Sequence, residues 1–181
     1  MGPFMLSQVA EIVAPAENTA RRRGFILLTL CLGVLVAQVD TSVVNLAARQ
    51  IGVAFHASVA SLQWVLDAYN LAYAVLLLSG GLCADLFGRR LIFQAGAAVI
   101  TVSSVGCVLS PDIGVLITAR VLMGVGAAML LPASLAIVRV VWPDPGERRR
   151  ALGVWASCNG LAFVIGPTLG GYLTDFYNWR W

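Results

Sequence analysis

Gly24-Phe-Ile-Leu-Leu-Thr-Leu-Cys-Leu-Gly33-Val-Leu-Val-Ala-Gln38-Val-Asp40-Thr-Ser-Val-Val-Asn45-Leu-Ala-Ala48 reads as an apolar run with a polar cluster inside it. Crossing a bilayer takes about 20 apolar residues in a helix, so the run is long enough. Asp40 lies deep within it. A carboxylate in a membrane span costs about 2.5–3.5 kcal/mol on insertion scales. A proton, a partner cation or a water-filled path must offset that cost. The stretch predicts a membrane helix that takes part in transport and does not only anchor the chain.

The rest of the composition agrees. Hydrophobic residues make up 59% of the chain and charged residues 12%, whereas soluble domains carry about 25% charged residues. The mean hydropathy is +0.85. All the basic residues are Arg, and most fall in short breaks between apolar runs. The net charge of +3 therefore points to membrane topology, and nucleic acid is not an expected partner. Cys31, Cys83, Cys107 and Cys158 all lie in apolar stretches without CxxC spacing, which predicts packing residues and no metal site. His56 stands alone in an expected loop. No P-loop, HExxH or paired nucleophile and His is present, so an enzyme is not expected.

Five apolar segments can be drawn, at about 24–46, 62–84, 91–110, 114–141 and 151–174. The fold class is an all-α membrane protein. Polar breaks at Arg49–Ser61, Asp85–Arg90, Pro111-Asp112 and Pro143–Arg150 separate the segments. Residues 1–23 read as a tail without periodicity, and 24–181 as a transmembrane domain. Arg21-Arg22-Arg23 before an apolar run resembles a secretory signal, but the run is too long for one. With the N-terminus inside, Arg21–Arg23, Arg89, Arg90, Arg139 and Arg148–Arg150 are cytoplasmic, against Arg49 and Arg180 outside. The positive-inside rule then places the N-terminus in the cytoplasm and the C-terminal end outside. Trp64, Trp179 and Trp181 fall at the outer interface and Trp142 at the inner one. The chain stops at Trp179-Arg180-Trp181 without a polar tail, as a piece of a longer protein would.

At about 1.5 Å rise per residue, Asp40, Asp67 and Arg120 all lie some 8–12 Å below the outer surface. Gly166-Pro167 falls in a similar layer. Asp40 and Arg120 can simply neutralise one another, but that leaves Asp67 without a counter-charge. Alternatively, one carboxyl in this layer loads and releases a proton, held between burial and a neighbouring cation. Arg120, Gly124 and Ala128 share one helix face that suits close packing. Gly166 and Gly170 form a GxxxG pattern, and Pro167 permits a bend. Asp85 and Arg89 can pair at i, i+4, with Gly88 suited to a tight turn.

These stretches resemble a known pattern. Gly81-Leu-Cys-Ala-Asp85-Leu-Phe-Gly88-Arg89-Arg90 is similar to the loop between helices 2 and 3 of the major facilitator superfamily. Cys83 replaces a Leu and Leu86 an Arg of that signature. Four further stretches resemble its fourteen-helix drug/proton antiporters. Asp40-Thr-Ser-Val-Val-Asn45-Leu-Ala resembles their helix 1 motif, with Arg49 where Pro is usual. Trp64-Val-Leu-Asp67-Ala-Tyr69 resembles the start of their helix 2. Arg120-Val-Leu-Met-Gly124-Val-Gly126-Ala-Ala128 resembles their helix 4 motif, with Met123 in place of Gln. Gly160-Leu-Ala-Phe-Val-Ile-Gly166-Pro167-Thr-Leu-Gly170-Gly171 resembles their helix 5 antiporter motif.

The resemblance spans nearly the whole chain and implies five helices of an incomplete major-facilitator N-terminal bundle. It implies proton-coupled export of drugs or related hydrophobic or cationic small molecules. The proton gradient is then the energy source and no cofactor is needed. Asp40 and Arg120 are implied in proton coupling, and Asp67, Asn45 and Tyr69 in substrate binding. Gly81, Asp85, Gly88, Arg89 and Arg90 are implied in gating, and Gly160, Gly166, Pro167, Gly170 and Gly171 in the antiporter motif. The expected location is the inner or plasma membrane, multi-pass. The expected partners are lipid, a small-molecule substrate and the missing C-terminal half, without which the chain is expected to be inactive. The alternatives are a superfamily transporter of another metabolite and a non-transporting membrane remnant.

Overall fold

The computed structural model describes residues 3–176, and for 3–18 and 173–175 the backbone alone. Trp179, Arg180 and Trp181, expected at the outer interface, lie outside the described residues. Among the described residues five helices make up the fold: α1 (Pro3–Phe55), α2 (Val59–Phe87), α3 (Arg89–Val108), α4 (Ile113–Val141) and α5 (Pro145–Phe176). No strand occurs among the described residues. Each helix contains a span long and apolar enough to cross a membrane.

The helices run beyond the apolar stretches, and local chemistry explains where they stop. The expected break Arg49–Ser61 shrinks to a turn at residues 56–58. Val44, Ala47, Ile51 and Phe55 carry a helical apolar stripe through Arg49 and Gln50 and pack with Val65 and Leu116. His56, at φ 48, ends α1. The Ser58 hydroxyl then accepts from the Ser61 amide at 3.1 Å and caps α2. Asp112 caps α4 in the same way, at 3.0 Å from the Val115 amide. The break expected at Pro143–Arg150 is also shorter, because α5 begins at Pro145. Asp144 accepts from the Glu147 amide at 2.9 Å, ahead of a proline at the first helical position. Toward the N-terminus the expected tail is a helical continuation of α1. Residues 17–23 contain no Gly or Pro and include the good helix formers Ala, Glu and Arg.

Between α2 and α3 the break is a single residue, Gly88, at φ 102. Only glycine takes that conformation without strain. The two helices are therefore adjacent and antiparallel, as the short loop predicts.

The bundle is organised around α4, which packs along α2 and α3, while α1 packs along α5. Small residues set these approaches. A Cβ at Gly126 would come within 2.9 Å of the Gly96 carbonyl oxygen on α3. Gly124 lies as tightly on the α2 backbone at Tyr69. The outward faces stay apolar, with Leu78 86% and Val102 72% exposed, as expected for surfaces meeting lipid or further helices. Trp142, expected at the inner interface, packs inward with the core residues Val138 and Ala151.

Candidate functional site

Arg120 lies in the interior and is 1% exposed. An isolated buried cation is very costly, so each face of its guanidinium needs a partner. The α4 helix carries it toward α1 and α2, whose residues supply those partners. One Nη donates to an Asp40 carboxylate oxygen in a buried ion pair. Nε donates to the Val65 carbonyl at 3.2 Å. The flat face lies over the Tyr69 ring, with 4.9 Å from the guanidinium carbon to the centroid, a cation–π contact. The Tyr69 hydroxyl donates to the Ala37 carbonyl at 3.3 Å, one turn before Asp40. Three helices thus meet at one cation.

Asp40 is the more open member of the pair, with its side chain 23% exposed against 2% for Arg120. Both line a cavity of about 380 Å³ whose walls are otherwise mostly apolar, including Val39, Leu116 and Met123. In so apolar a setting an ion pair is weakly screened. The geometry holds a carboxylate against a cation at the cavity wall. The Met123 sulfur lies 3.7 Å from that of Cys107. The wall is soft and apolar at that point.

Asp67 does not join this pair. It lies on the exposed face of α2, in a shallow hollow with Gln63, Trp64 and Asn70. The reason is periodicity. Val65 and Tyr69 are four residues apart and share the face that touches Arg120; Asp67, between them, lies on the opposite face. The layer of three ionisable groups expected from depth is thus a facing pair and an outward carboxylate. Asn45 is exposed, and its amide donates to the Thr41 carbonyl at 2.8 Å on its own helix. Tyr69 is 4% exposed and serves as a shelf for Arg120.

In the Gly160–Gly171 stretch of α5, Gly166 and Gly170 face α1. A Cβ at Gly166 would meet Ser42 Oγ at 2.9 Å, and one at Gly170 would meet the Val43 Cα at 3.2 Å. These contacts fall directly after Asp40 in α1. Ile165 and Leu169 of the same stretch line the cavity. A Cβ at Gly160 or Gly171 would meet nothing within 4 Å. Pro167 is exposed within a continuous α5, and the neighbouring Thr168 hydroxyl reaches the Val164 carbonyl at 2.9 Å.

At the α2–α3 turn, Asp85 and Arg89 pair at 3.2 Å across Gly88. Both are open to solvent, and Arg90 is exposed beside them. Gly81 faces Pro132 of α4 at ordinary contact distance. One polar contact had no sequence signal. Arg23 at the start of the α1 span pairs with Glu147 of α5 at 3.0 Å, 124 residues away.

The family model described as Major Facilitator Superfamily matches residues 30–181. The chain belongs to the Major Facilitator Superfamily. Membership makes it a multi-pass membrane protein of a transporter family. Among its superfamily relatives, the Multidrug resistance protein Stp of Mycobacterium tuberculosis is 40% identical, over 85% of this chain and 29% of the relative. The Puromycin resistance protein of Streptomyces alboniger is 39% identical, over 97% of this chain and 35% of its own length. The Methylenomycin A resistance protein of Bacillus subtilis is 36% identical, over 91% and 35%. The chain thus spans about a third of the length of these curated relatives. A crystal structure of a bacterial homologue of the human lysosomal transporter Spinster, inward-facing and unoccupied, superposes with a TM-score of 0.73 at 23% identity. That match covers 87% of this chain and 37% of the other, and it shows the shared fold.

Proposed function

We propose that these helices belong to the N-terminal half of a proton-driven exporter of drugs or related hydrophobic or cationic compounds. The observation that carries the reading is the Asp40–Arg120 pair, with Asp40 the more open member on the wall of an apolar cavity. The relatives named for resistance to puromycin, methylenomycin A and multiple drugs support the substrate class.

In this mechanism the Asp40 carboxylate holds Arg120 while unprotonated. A proton on Asp40 weakens that hold, and Arg120 keeps its Val65 carbonyl and Tyr69 ring. α1 is then free to shift against α4, and α5 moves with α1 through the Gly166 and Gly170 contacts. One charge moving across about 100 mV supplies about 2.3 kcal/mol, enough to bias export. The proton gradient is the sole energy source and no cofactor takes part. Asp67, outward-facing on α2, offers a negative charge to a cationic substrate where further helices complete the path. The Asp85–Gly88–Arg89 turn gates at the cytoplasmic side. The N-terminus lies in the cytoplasm of a cell whose inner or plasma membrane holds the protein.

Superfamily transporters place the substrate between two halves. Because the chain spans about a third of its relatives, the 181 residues alone are read as inactive. The test uses the full-length transporter containing these residues, in everted vesicles with an imposed pH gradient. Drug addition is expected to dissipate the gradient, and Asp40→Asn to abolish that response. Intact proton-coupled export by Asp40→Asn would overturn the reading.

A further inference from the structure

Three arginines from two helices converge on one groove. Arg21 and Arg22 of α1 and Arg90 of α3 line a cavity of about 690 Å³ at the end of the bundle that carries the α1 arginine run. No carboxylate lines it among the described residues. The neighbouring cations are placed differently. Arg23 is paired with Glu147, and Arg89 with Asp85. Arg149 and Arg150 share their own hollow with Asp144 and Glu147. The basic charge at this end is therefore divided, part of it neutralised by acids and part of it gathered in one groove that no described carboxylate lines.

The inner wall of the groove is apolar. Phe25, Ile26, Leu30, Phe93 and Ile137 form most of it, with Thr29 and Gln94 as its polar members. Arg21 lies over the Phe25 ring, 5.7 Å from its centroid, so the aromatic wall also positions a cation. A slot with guanidinium groups at its mouth and an apolar wall running toward the membrane interior has the polarity of a phospholipid. Arginine binds phosphate oxygens in bidentate fashion, and basic pockets between membrane helices take anionic headgroups.

We propose that the α1–α3 groove is a binding site for one anionic phospholipid. Its phosphate sits among Arg21, Arg22 and Arg90, and an acyl chain lies along Phe25, Ile26 and Phe93. A free phosphate ion would use the arginines and leave the apolar wall unused, so the lipid is the ligand. The site needs only the membrane-embedded fold and not the export reading, and its test involves no transport.

The test counts lipids retained by the purified full-length transporter containing these residues, in native mass spectrometry; a groove filled by the protein's further helices would leave no lipid bound and overturn the site. The probes are phosphatidylglycerol, phosphatidylcholine and inorganic phosphate. One phosphatidylglycerol is expected to remain bound under conditions that strip phosphatidylcholine, and inorganic phosphate is not expected to compete. The triple variant Arg21→Gln/Arg22→Gln/Arg90→Gln is expected to lose about a hundredfold in phosphatidylglycerol affinity, about fivefold per arginine near a membrane surface. Arg148→Gln/Arg149→Gln/Arg150→Gln removes the same charge elsewhere and is expected to retain the lipid. Helical circular dichroism checks that both variants fold. Equal losses in the two triples would reduce the effect to bulk charge and overturn the site. So would equal retention of the two lipids, or competition by inorganic phosphate.

Discussion

Arg120 of α4 and Asp40 of α1, 80 residues apart in sequence, form a buried ion pair in which the cation is sealed and the carboxylate borders a cavity. The asymmetry matters. Arg120 also has a carbonyl and an aromatic ring, whereas Asp40 borders the cavity and has its side chain 23% exposed. Removing one partner of a buried pair strands the other, typically at about 3–5 kcal/mol. Asp40→Leu is therefore expected to lower thermal stability in detergent by several kcal/mol. Asp40→Asn, which keeps a hydrogen-bond acceptor for Arg120, is expected to cost far less. Equal melting temperatures for Asp40→Leu and the parent would show that the pair carries no structural weight.

Tyr69 separates two roles by its ring. If it holds Arg120, Tyr69→Phe keeps the cation–π contact and loses only the hydroxyl bond to Ala37. Tyr69→Leu loses both, and a desolvated cation–π contact is worth about 2 kcal/mol. Leu is expected to destabilise the fold clearly more than Phe, as read by thermal unfolding. A substrate-contact role alone would leave both variants as stable as the parent.

Gly166 and Gly160 lie in one motif but differ in their surroundings. Gly166→Ala drives a methyl into Ser42, while Gly160→Ala meets open space. Overpacking of this kind costs about 1–3 kcal/mol. Gly166→Ala is expected to loosen α1 from α5, and Ser42→Gly to restore the fit. Disulfide trapping between engineered cysteines on the two helices measures it. Failure of Ser42→Gly to rescue would remove the steric explanation.

At the α2–α3 turn, backbone conformation is expected to outweigh charge. Gly88 sits at φ 102, where a side chain costs about 1–3 kcal/mol. The exposed Asp85–Arg89 pair is worth about 0–1 kcal/mol. Gly88→Ala should therefore lower the melting temperature more than Asp85→Asn does. The reverse order would mean that the ion pair holds the turn.

Much of the bundle is legible in residue order, because its causes are local. Apolar length gives the five spans, and Gly88 gives the turn between α2 and α3. The helix ends were harder to read. Ser58, Asp112 and Asp144 are capping residues by type, yet apolar runs alone place the ends of α1 and α5 several residues short. Charged residues such as Arg49 and Glu147 are compatible with helix, so the loss of hydrophobicity does not mark the loss of hydrogen bonding.

By itself the sequence determined how polar residues are spaced along each helix, since that follows from a fixed rise per residue; the helix ends from which their depth is counted shift, with α1 running on to Phe55. Counted from the apolar runs, Asp40, Asp67 and Arg120 fall near one level. Only the tertiary structure decided which of them meet, because the direction a side chain faces has meaning only against the neighbouring helices. Packing turns Val65 and Tyr69 toward Arg120, and so turns Asp67 away. The same cause makes Tyr69 a shelf, brings Gly166 against Ser42, and gathers Arg21, Arg22 and Arg90 from two separate helices into one groove.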